Sequence, residues 1–257
     1  FDLALQLHGG GATSNGVVRR LGARVTAGMR APGTEPLDHW VPYDFYRHET
    51  LRLLEVASLV GAPPVTLQGR LPVLDADRDE ARAAVPEAGA DLVALHPGST
   101  DPRRRWPPQK FARLADELQR GGRRVVLTGT APEEPVTSEV VHAADRAPAD
   151  TTGTLSLRGL AGLYARCRLV VGNDTGTIHL ARALGVPTAT VMWVGNTISA
   201  GPLSRRRHRS ILAWNLDCPV CGVRNVHVRC PHDESFVAGV PVEDVLAACE
   251  ELLGEEG

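Results

Sequence analysis

Strands and helices alternate from residue 91 onward, and this alternation restricts the fold more than any other feature of the chain. Short runs rich in Val, Leu and Thr predict strands at 91–96, 123–128, 168–172 and 188–193. Helices are predicted between them, beginning near Pro107, near 132, after Ser156 and at Thr175. Short buried strands separated by helices indicate a parallel sheet that is covered on both faces.

The first 90 residues are less regular. Strands are predicted at 3–7 and 23–27, helices at 49–61 and 77–85, and a loop at 30–47. The segment 61–75 is rich in Pro and Gly, which predicts a linker between domains or an edge strand. We therefore expect an N-terminal domain over 1–75, a larger domain over 76–240 and a C-terminal helix over 241–257.

The charge balance excludes some classes of function. The 257 residues include 28 basic and 30 acidic side chains, so the chain lacks the basic surplus of a non-specific nucleic-acid binder. No apolar run approaches the roughly 20 residues that a membrane span needs. The N-terminal residues show no basic segment followed by an apolar one, which predicts a cytoplasmic protein.

Three strands end in polar or Gly-rich loops, at 96–107, 128–134 and 172–177. In an open parallel sheet the carboxyl ends of the strands form the ligand-binding edge, so these loops are predicted to face one crevice. The last loop opens a helix at Thr175 and Gly176, where free backbone N–H groups favour an anion such as a diphosphate. The chain has no P-loop, no dinucleotide-binding G-x-G-x-x-G and no G-x-S-x-G.

Several of these loop residues allow a structural interpretation as well. Asp174 is expected to bind a sugar hydroxyl or to cap the helix, and His179 to face a ligand or to lie in the core. Arg104 belongs to an Arg triplet that either binds phosphate or forms a solvated face. Glu133 either accepts hydrogen bonds from a ribose or is simply an acid in the first turn of a helix.

Two segments match a known family in spacing and order. The first reads HPGSTDPRRRWPPQKF over 96–111, and the second reads GNDTGTIHLARALGVP over 172–187. Together they resemble the ADP-heptose:lipopolysaccharide heptosyltransferases of glycosyltransferase family 9. The resemblance implies an α/β fold of the GT-B type, with two Rossmann-like, doubly wound parallel-sheet domains of which the N-terminal one is incomplete here.

The resemblance also implies roles for individual residues. Sugar-nucleotide contacts are implied for Gly98, Ser99, Arg104, Thr128, Glu133, Leu155, Asp174, Thr175, Gly176 and His179. Within this set the resemblance implies that Gly98 and Ser99 contact the diphosphate, that Arg104 supplies a cation, and that Glu133 and Leu155 lie near the ribose and the adenine. The D-[ST]-G-x-x-H motif that holds the diphosphate and the sugar is matched by Asp174, Thr175, Gly176 and His179. The family's catalytic base is an Asp in a segment that we expect upstream of Phe1, so no base is assigned.

Four of the five cysteines lie in the last 40 residues. Cys218 and Cys221 form a C-x-x-C motif, and Cys230 and Cys249 follow, which is compatible with a zinc or iron site. His227 and His232 are alternative ligands. Cys249 also shares an apolar helical face with Val245 and Leu252, which would instead make it a core residue.

These observations predict an inverting glycosyltransferase that needs no cofactor for the reaction. The expected donor is an ADP-sugar, with heptose as the sugar. The expected acceptor is a hydroxyl of a lipopolysaccharide core or another glycan, a protein or a small metabolite, and a lipid-linked acceptor would involve peripheral contact with a membrane. The alternatives are a sugar-nucleotide-binding homologue without catalysis and a GT-B sugar-nucleotide epimerase.

Overall fold

The computed structural model describes residues 1–86, 91–226 and 228–254. The chain forms two compact units. Unit 1 comprises residues 1–67 and 196–201, and unit 2 comprises residues 68–195 and 202–257. Among the described residues, no helix is both long enough and apolar enough to cross a membrane.

Unit 1 contains a parallel sheet of three strands in the order β1-β2-β3. Its elements are β1 (Leu3–Leu5), α1 (Ser14–Arg20), β2 (Val25–Arg30), β3 (His39–Pro42) and α2 (Glu49–Ser58). Asn15 of α1 is fully buried and its Nδ2 donates to the carbonyls of Met29 and Glu35, at 3.2 and 2.8 Å. This side chain therefore fixes α1 on the sheet by hydrogen bonds as well as by packing.

Two elements of unit 1 were not predicted. The prediction of a loop over 30–47 is wrong in part, because β3 lies within it and pairs with β2. The prolines around His39–Pro42 mask this strand in the sequence, and an edge strand tolerates them. Helix α1 is only seven residues long and buries Val18 as its one large apolar side chain, so it has no readable apolar stripe.

Unit 2 contains a parallel sheet of six strands in the order β6-β5-β4-β7-β8-β9. Its strands are β4 (Leu92–His96), β5 (Arg124–Leu127), β6 (Ala149–Asp150), β7 (Leu169–Asn173), β8 (Thr188–Trp193) and β9 (His208–Ala213). The helices assigned wholly to this unit are α3 (Asp75–Ala84), α4 (Pro108–Arg120), α5 (Glu134–Ala143), α6 (Leu157–Tyr164), α7 (Gly176–Ala183) and α9 (Val242–Gly254). In helix α8 (Val194–Ala200), the first two residues are assigned to unit 2 and the others to unit 1.

Two apolar cores cover the faces of the six-stranded sheet. One contains α4 and α9 side chains, such as Phe111, Leu114 and Val245, and the other contains α3, α6 and α7 side chains, such as Leu163 and Ile178. Every residue of β4, β7 and β8 is buried. The predicted parallel sheet covered on both faces is therefore confirmed for this unit.

Candidate functional site

Two loops leave the carboxyl ends of the adjacent strands β4 and β7. Asn173, the last residue of β7, is fully buried and joins the two loops through its amide. Its Nδ2 donates to the carbonyl of Pro97 at 2.8 Å, and its Oδ1 accepts the backbone N–H of Trp106 at 2.9 Å. The sequence predicts that these loops lie at one edge of the sheet, and the structure shows that Asn173 holds them together.

Asp174 lies at the start of α7 between two basic side chains. Its carboxylate is 96% buried and lies 3.5 Å from Arg104 Nη1 through Oδ2 and 3.9 Å from His179 Nε2 through Oδ1. The His179 side chain is 47% exposed, so the interpretation of His179 as a core histidine is wrong. The buried carboxylate thus sets the positions of two groups that remain accessible to solvent.

Arg182 supports the same carboxylate from inside the protein. Its side chain is buried beneath α7, and its Nη2 donates to Thr190 Oγ1 at 3.1 Å. Burial lowers the pKa of Arg182 to about 10, and the charge of Asp174 opposes that shift. Arg182 was not predicted, because its position one turn after His179 on α7 does not show that its side chain turns inward onto β8.

Thr175 and Gly176 form the start of α7. Thr175 is the N-cap residue and Gly176 is the first residue of the helix. A side chain placed at Gly176 would meet no protein atom within 4 Å, so the space in front of this helix end is open. The α7 backbone N–H groups are therefore available to an anion from this side.

Glu133 lies over the beginning of the loop that follows β4. Its Oε2 accepts hydrogen bonds from the Thr130 backbone N–H at 2.8 Å and the Thr130 hydroxyl at 2.9 Å. The same oxygen lies 3.8 Å from His96 Nε2. A side chain at Gly98 would collide with the Glu133 carboxylate, so glycine is needed at 98 for this approach. Glu133 is thus both a helix-capping residue and a neighbour of the loop.

Thr128 is buried in a polar network rather than open to solvent. Its hydroxyl lies 3.1 Å from His96 Nδ1 and 3.1 Å from the Tyr164 hydroxyl. Burial lowers the pKa of His96 and raises the pKa of Tyr164, because both charged forms lose hydration. Ser99 is also buried, and its carbonyl accepts Arg105 Nε at 2.7 Å. Leu155 is half-buried against the α6 and α7 core.

The cysteine motif forms a compact group of potential ligands. One ligand atom from each of Cys218, Cys221, Cys230 and His232 lies within 4.8 Å of the others. Cys218 and Cys221 are held in a turn in which the Gly222 N–H donates to the Cys218 carbonyl at 2.9 Å. Three thiols and one imidazole suit a tetrahedral zinc or iron ion. We call these four residues the Cys/His cluster.

The Cys/His cluster is bonded to the loop that follows β4 through Asn225. Asn225 is buried, its Oδ1 accepts the Cys230 backbone N–H at 3.3 Å, and the same oxygen accepts Arg103 Nη1 at 3.1 Å. Arg103 also donates to both carboxylate oxygens of Asp101, at 3.0 and 2.7 Å. The His232 backbone N–H is the main group that lowers the pKa of the Cys230 thiol, to about 6.

Cys249 does not belong to the cluster, and its prediction as a metal ligand is wrong. Its side chain is fully buried in the apolar core beneath α9, next in the helical pattern to Val245 and Leu252. Burial there raises the pKa of the Cys249 thiol, which opposes the thiolate form that a metal needs. His232 stands in the fourth position instead, and His227 lies outside the described residues.

The family model for glycosyltransferase family 9 (heptosyltransferase) matches residues 1–225. The chain is 28% identical over 173 residues to lipopolysaccharide heptosyltransferase 2 of Salmonella typhimurium, a match that covers 65% of this chain and 48% of the relative. It is 35% identical over 146 residues to lipopolysaccharide heptosyltransferase 1 of Pseudomonas aeruginosa, covering 56% of this chain and 39% of the relative. The chain thus spans about half or less of the length of these relatives.

Solved structures give the same fold. A family 9 glycosyl transferase from Veillonella parvula superposes with a TM-score of 0.80 at 22% identity, over 99% of this chain and 74% of that one. The Escherichia coli ADP-heptose lipopolysaccharide heptosyltransferase II superposes with a TM-score of 0.73 at 21% identity, over 98% and 76%. The α/β fold of the GT-B type is therefore confirmed, and the chain belongs to glycosyltransferase family 9, the heptosyltransferases.

Proposed function

We propose that this protein transfers a heptose from an ADP-sugar to a hydroxyl of a lipopolysaccharide core. The observation that carries the proposal is the buried Asp174 carboxylate, which holds Arg104 and His179 beside the open start of α7. This group lies at the carboxyl edge of a parallel sheet, where such folds bind their ligands. The names of the curated relatives support heptose and lipopolysaccharide as the sugar and the acceptor.

The chemistry assigned to these residues is stabilisation of the departing diphosphate. In a single displacement with inversion, the bond from the sugar C1 to the diphosphate oxygen breaks as the acceptor oxygen bonds to C1. Negative charge then grows on the diphosphate, and Arg104 together with the α7 backbone N–H groups would stabilise it. A general base must take the proton of the acceptor hydroxyl, and our assignment covers the donor half of the reaction.

Calorimetric titration with ADP tests the donor site. Arg104→Ala and His179→Ala should weaken ADP binding about tenfold or more, which is the usual loss for one charge-assisted contact. Asp174→Ala should have a similar effect because both basic side chains lose their common partner. Arg113→Ala is the matched control, because Arg113 is an exposed arginine paired with Glu243 on α9.

Three outcomes decide the assignment. Equal ADP affinity in wild type and in all three site variants would contradict it. Binding of UDP or GDP as tight as that of ADP would contradict the adenine donor but not the site. Selective ADP binding without heptose transfer to a lipopolysaccharide core would favour a homologue that binds sugar nucleotides without catalysis.

We further propose that the Cys/His cluster holds a structural zinc or iron ion. The convergence of three thiols and one imidazole supports this, because four protein ligands leave no open position for a substrate. The bound ion would fix the irregular segment around the cluster. Elemental analysis of the purified protein should give close to one metal per chain, and visible absorption distinguishes iron from zinc.

Cysteine variants provide the internal control for the metal. Cys221→Ser should lower the metal content several-fold, because it removes the exposed ligand without disturbing the core. Cys249→Ala should leave the metal content unchanged. A metal-free wild type that folds normally, or equal metal loss in both variants, would refute the site.

A further inference from the structure

A cavity of about 560 Å³ lies in unit 2, at the edge of the sheet opposite to the donor site. It is lined by residues around Pro187 and His208, which lie at the amino ends of β8 and β9. The six residues of β8 separate this edge from the carboxyl edge by ~20 Å. A small ligand in this cavity would not touch Asp174 or Arg104.

Three arginines line the cavity, and among the described residues its lining includes no carboxylate. Arg70 belongs to the segment before α3, and Arg206 and Arg207 belong to the basic run over 205–209. In the part of the chain that the structure describes, none of the three guanidinium groups forms an ion pair. Arg209 of the same run is bonded to Glu251 through two contacts, at 2.6 and 2.9 Å.

The end of α7 forms part of the cavity wall, but it does not need these cations. The last carbonyl oxygens of a helix usually require partners, and a nearby arginine often supplies them. Here the carbonyls of Leu180, Ala181, Arg182 and Ala183 accept backbone N–H groups of Leu184, Val186, Gly185 and Leu71, at 3.0–3.1 Å. The helix end is therefore satisfied, and the three arginines have no ion-pair partner among the described residues.

The remaining wall has polar side chains at Gln68, Ser204 and His208, and an apolar part that includes Leu71, Leu184 and Leu252. Arginine forks match the oxygens of phosphate, and the cavity is as large as typical small-molecule sites. We propose that this cavity, the arginine cavity, binds a phosphate-bearing small molecule through its three arginines. The apolar part of that molecule lies against the three leucines. The proposal is independent of the proposed transfer reaction.

Calorimetry with two probes tests the arginine cavity. Inorganic phosphate and hexyl phosphate are titrated into Arg104→Ala protein, in which binding at the donor edge is weakened. Hexyl phosphate should bind at least tenfold more tightly than phosphate, because its alkyl chain is buried against the leucines. Adding Arg206→Ala or Arg207→Ala should weaken hexyl phosphate binding at least fivefold.

Arg205→Ala is the matched control, since Arg205 lies in the same basic run but does not line the cavity. It should change the affinity less than twofold, and Arg207→Gln should reproduce the loss seen with Arg207→Ala while keeping side-chain bulk. Arg207→Ala in the otherwise wild-type chain should leave ADP affinity unchanged, which separates this cavity from the donor site. Absence of hexyl phosphate binding, or an equal loss with Arg205→Ala, would overturn the proposal.

Discussion

The loops at the carboxyl edge of the six-stranded sheet, named the donor edge after the proposed donor site, and the cysteine-rich segment, residues 214–226 and 228–235, both consist of irregular backbone, but different interactions hold them. At the donor edge, the fully buried Asn173 at the end of β7 satisfies two groups of the loop that follows β4, and Trp106 anchors that loop in the core. In the cysteine-rich segment, Trp214 and Val220 are exposed. Side-chain hydrogen bonds and an apolar core hold the first region, whereas in the second the proposed metal ion would add a cross-link to the hydrogen bonds of Asn225.

Removal of the proposed metal ion should produce the largest difference in protease sensitivity between the two regions. Trypsin can cleave after Arg224 and Arg229, which lie within the cysteine-rich segment and are exposed. Because metal binding supplies most of the free energy that orders such small sites, chelation should raise the cleavage rate there about 100-fold or more. Mass spectrometry of the first fragments measures this, and restoring the metal should reverse it. First cleavage within unit 2 strands would contradict the comparison.

Asn173→Ala should cause the next largest effect, at the donor edge. It leaves the Trp106 N–H and the Pro97 carbonyl without their buried partner, which costs about 3 kcal/mol in the free energy of unfolding. Urea denaturation followed by circular dichroism measures the change. Gln109→Ala, an exposed amide on α4, should cost less than 0.5 kcal/mol. A loss at Asn173 as small as that would show that the loops are held by other contacts.

Low pH should reduce the free energy of unfolding through protonation of His208 on β9. Burial is the main cause that lowers the pKa of His208 to about 4, from 6.5 in the unfolded chain. Between these values the unfolded chain binds more protons, so the free energy of unfolding falls as the pH drops from 6.5 towards 4. The loss at pH 5 should be about 2 kcal/mol relative to pH 7.5.

Urea denaturation at the two pH values, at one ionic strength, measures this loss. His208→Gln should reduce the difference between pH 7.5 and pH 5, although His96 contributes in the same direction because its pKa is also lowered by burial. A His208→Gln protein with the full wild-type pH dependence would refute the assignment to His208.

Asn225→Ala should have the smallest effect, and it tests whether the two regions are coupled. It removes the acceptor for Arg103 and the support of the Cys230 backbone N–H. We expect two- to fivefold weaker ADP binding, because Arg103 and Asp101 then fix the loop next to Arg104 less firmly. Asn215→Ala is the control, and titration of metal-loaded protein is the measurement. Unchanged affinity would show that the two regions act separately.

The sequence predicts the buried strands well, because short apolar runs between helices are typical of buried parallel strands. Strand β8 was predicted residue for residue, whereas β9 was missed because it begins within the basic run at 205–209 and its central residues are only half-buried. The loops of the donor edge were predicted from their positions at strand ends. Asn173 was part of the quoted motif, yet its role depends on contacts with residues about 70 positions away.

The candidate metal ligands show what the spacing of cysteines alone cannot predict. Cys249 and His232 both stood as candidates, and the helical spacing of Cys249 with Val245 already indicated a core position. Choosing between them required the path of the chain after Cys230, which no local pattern encodes. The buried Arg182–Thr190 contact was not predicted for the same reason, because it joins a helix to the strand beneath it.

The discontinuity of unit 1 has a consequence for the order in which the protein is made. Residues 196–201 belong to unit 1, and the Gly201 carbonyl lies 2.7 Å from His48 Nε2. During synthesis, residues 1–67 leave the ribosome well before residues 196–201 are made. Although domains usually fold from the N-terminus during translation, unit 1 reaches its final form only after residue 201 has emerged, so its early state is one on which chaperones can act.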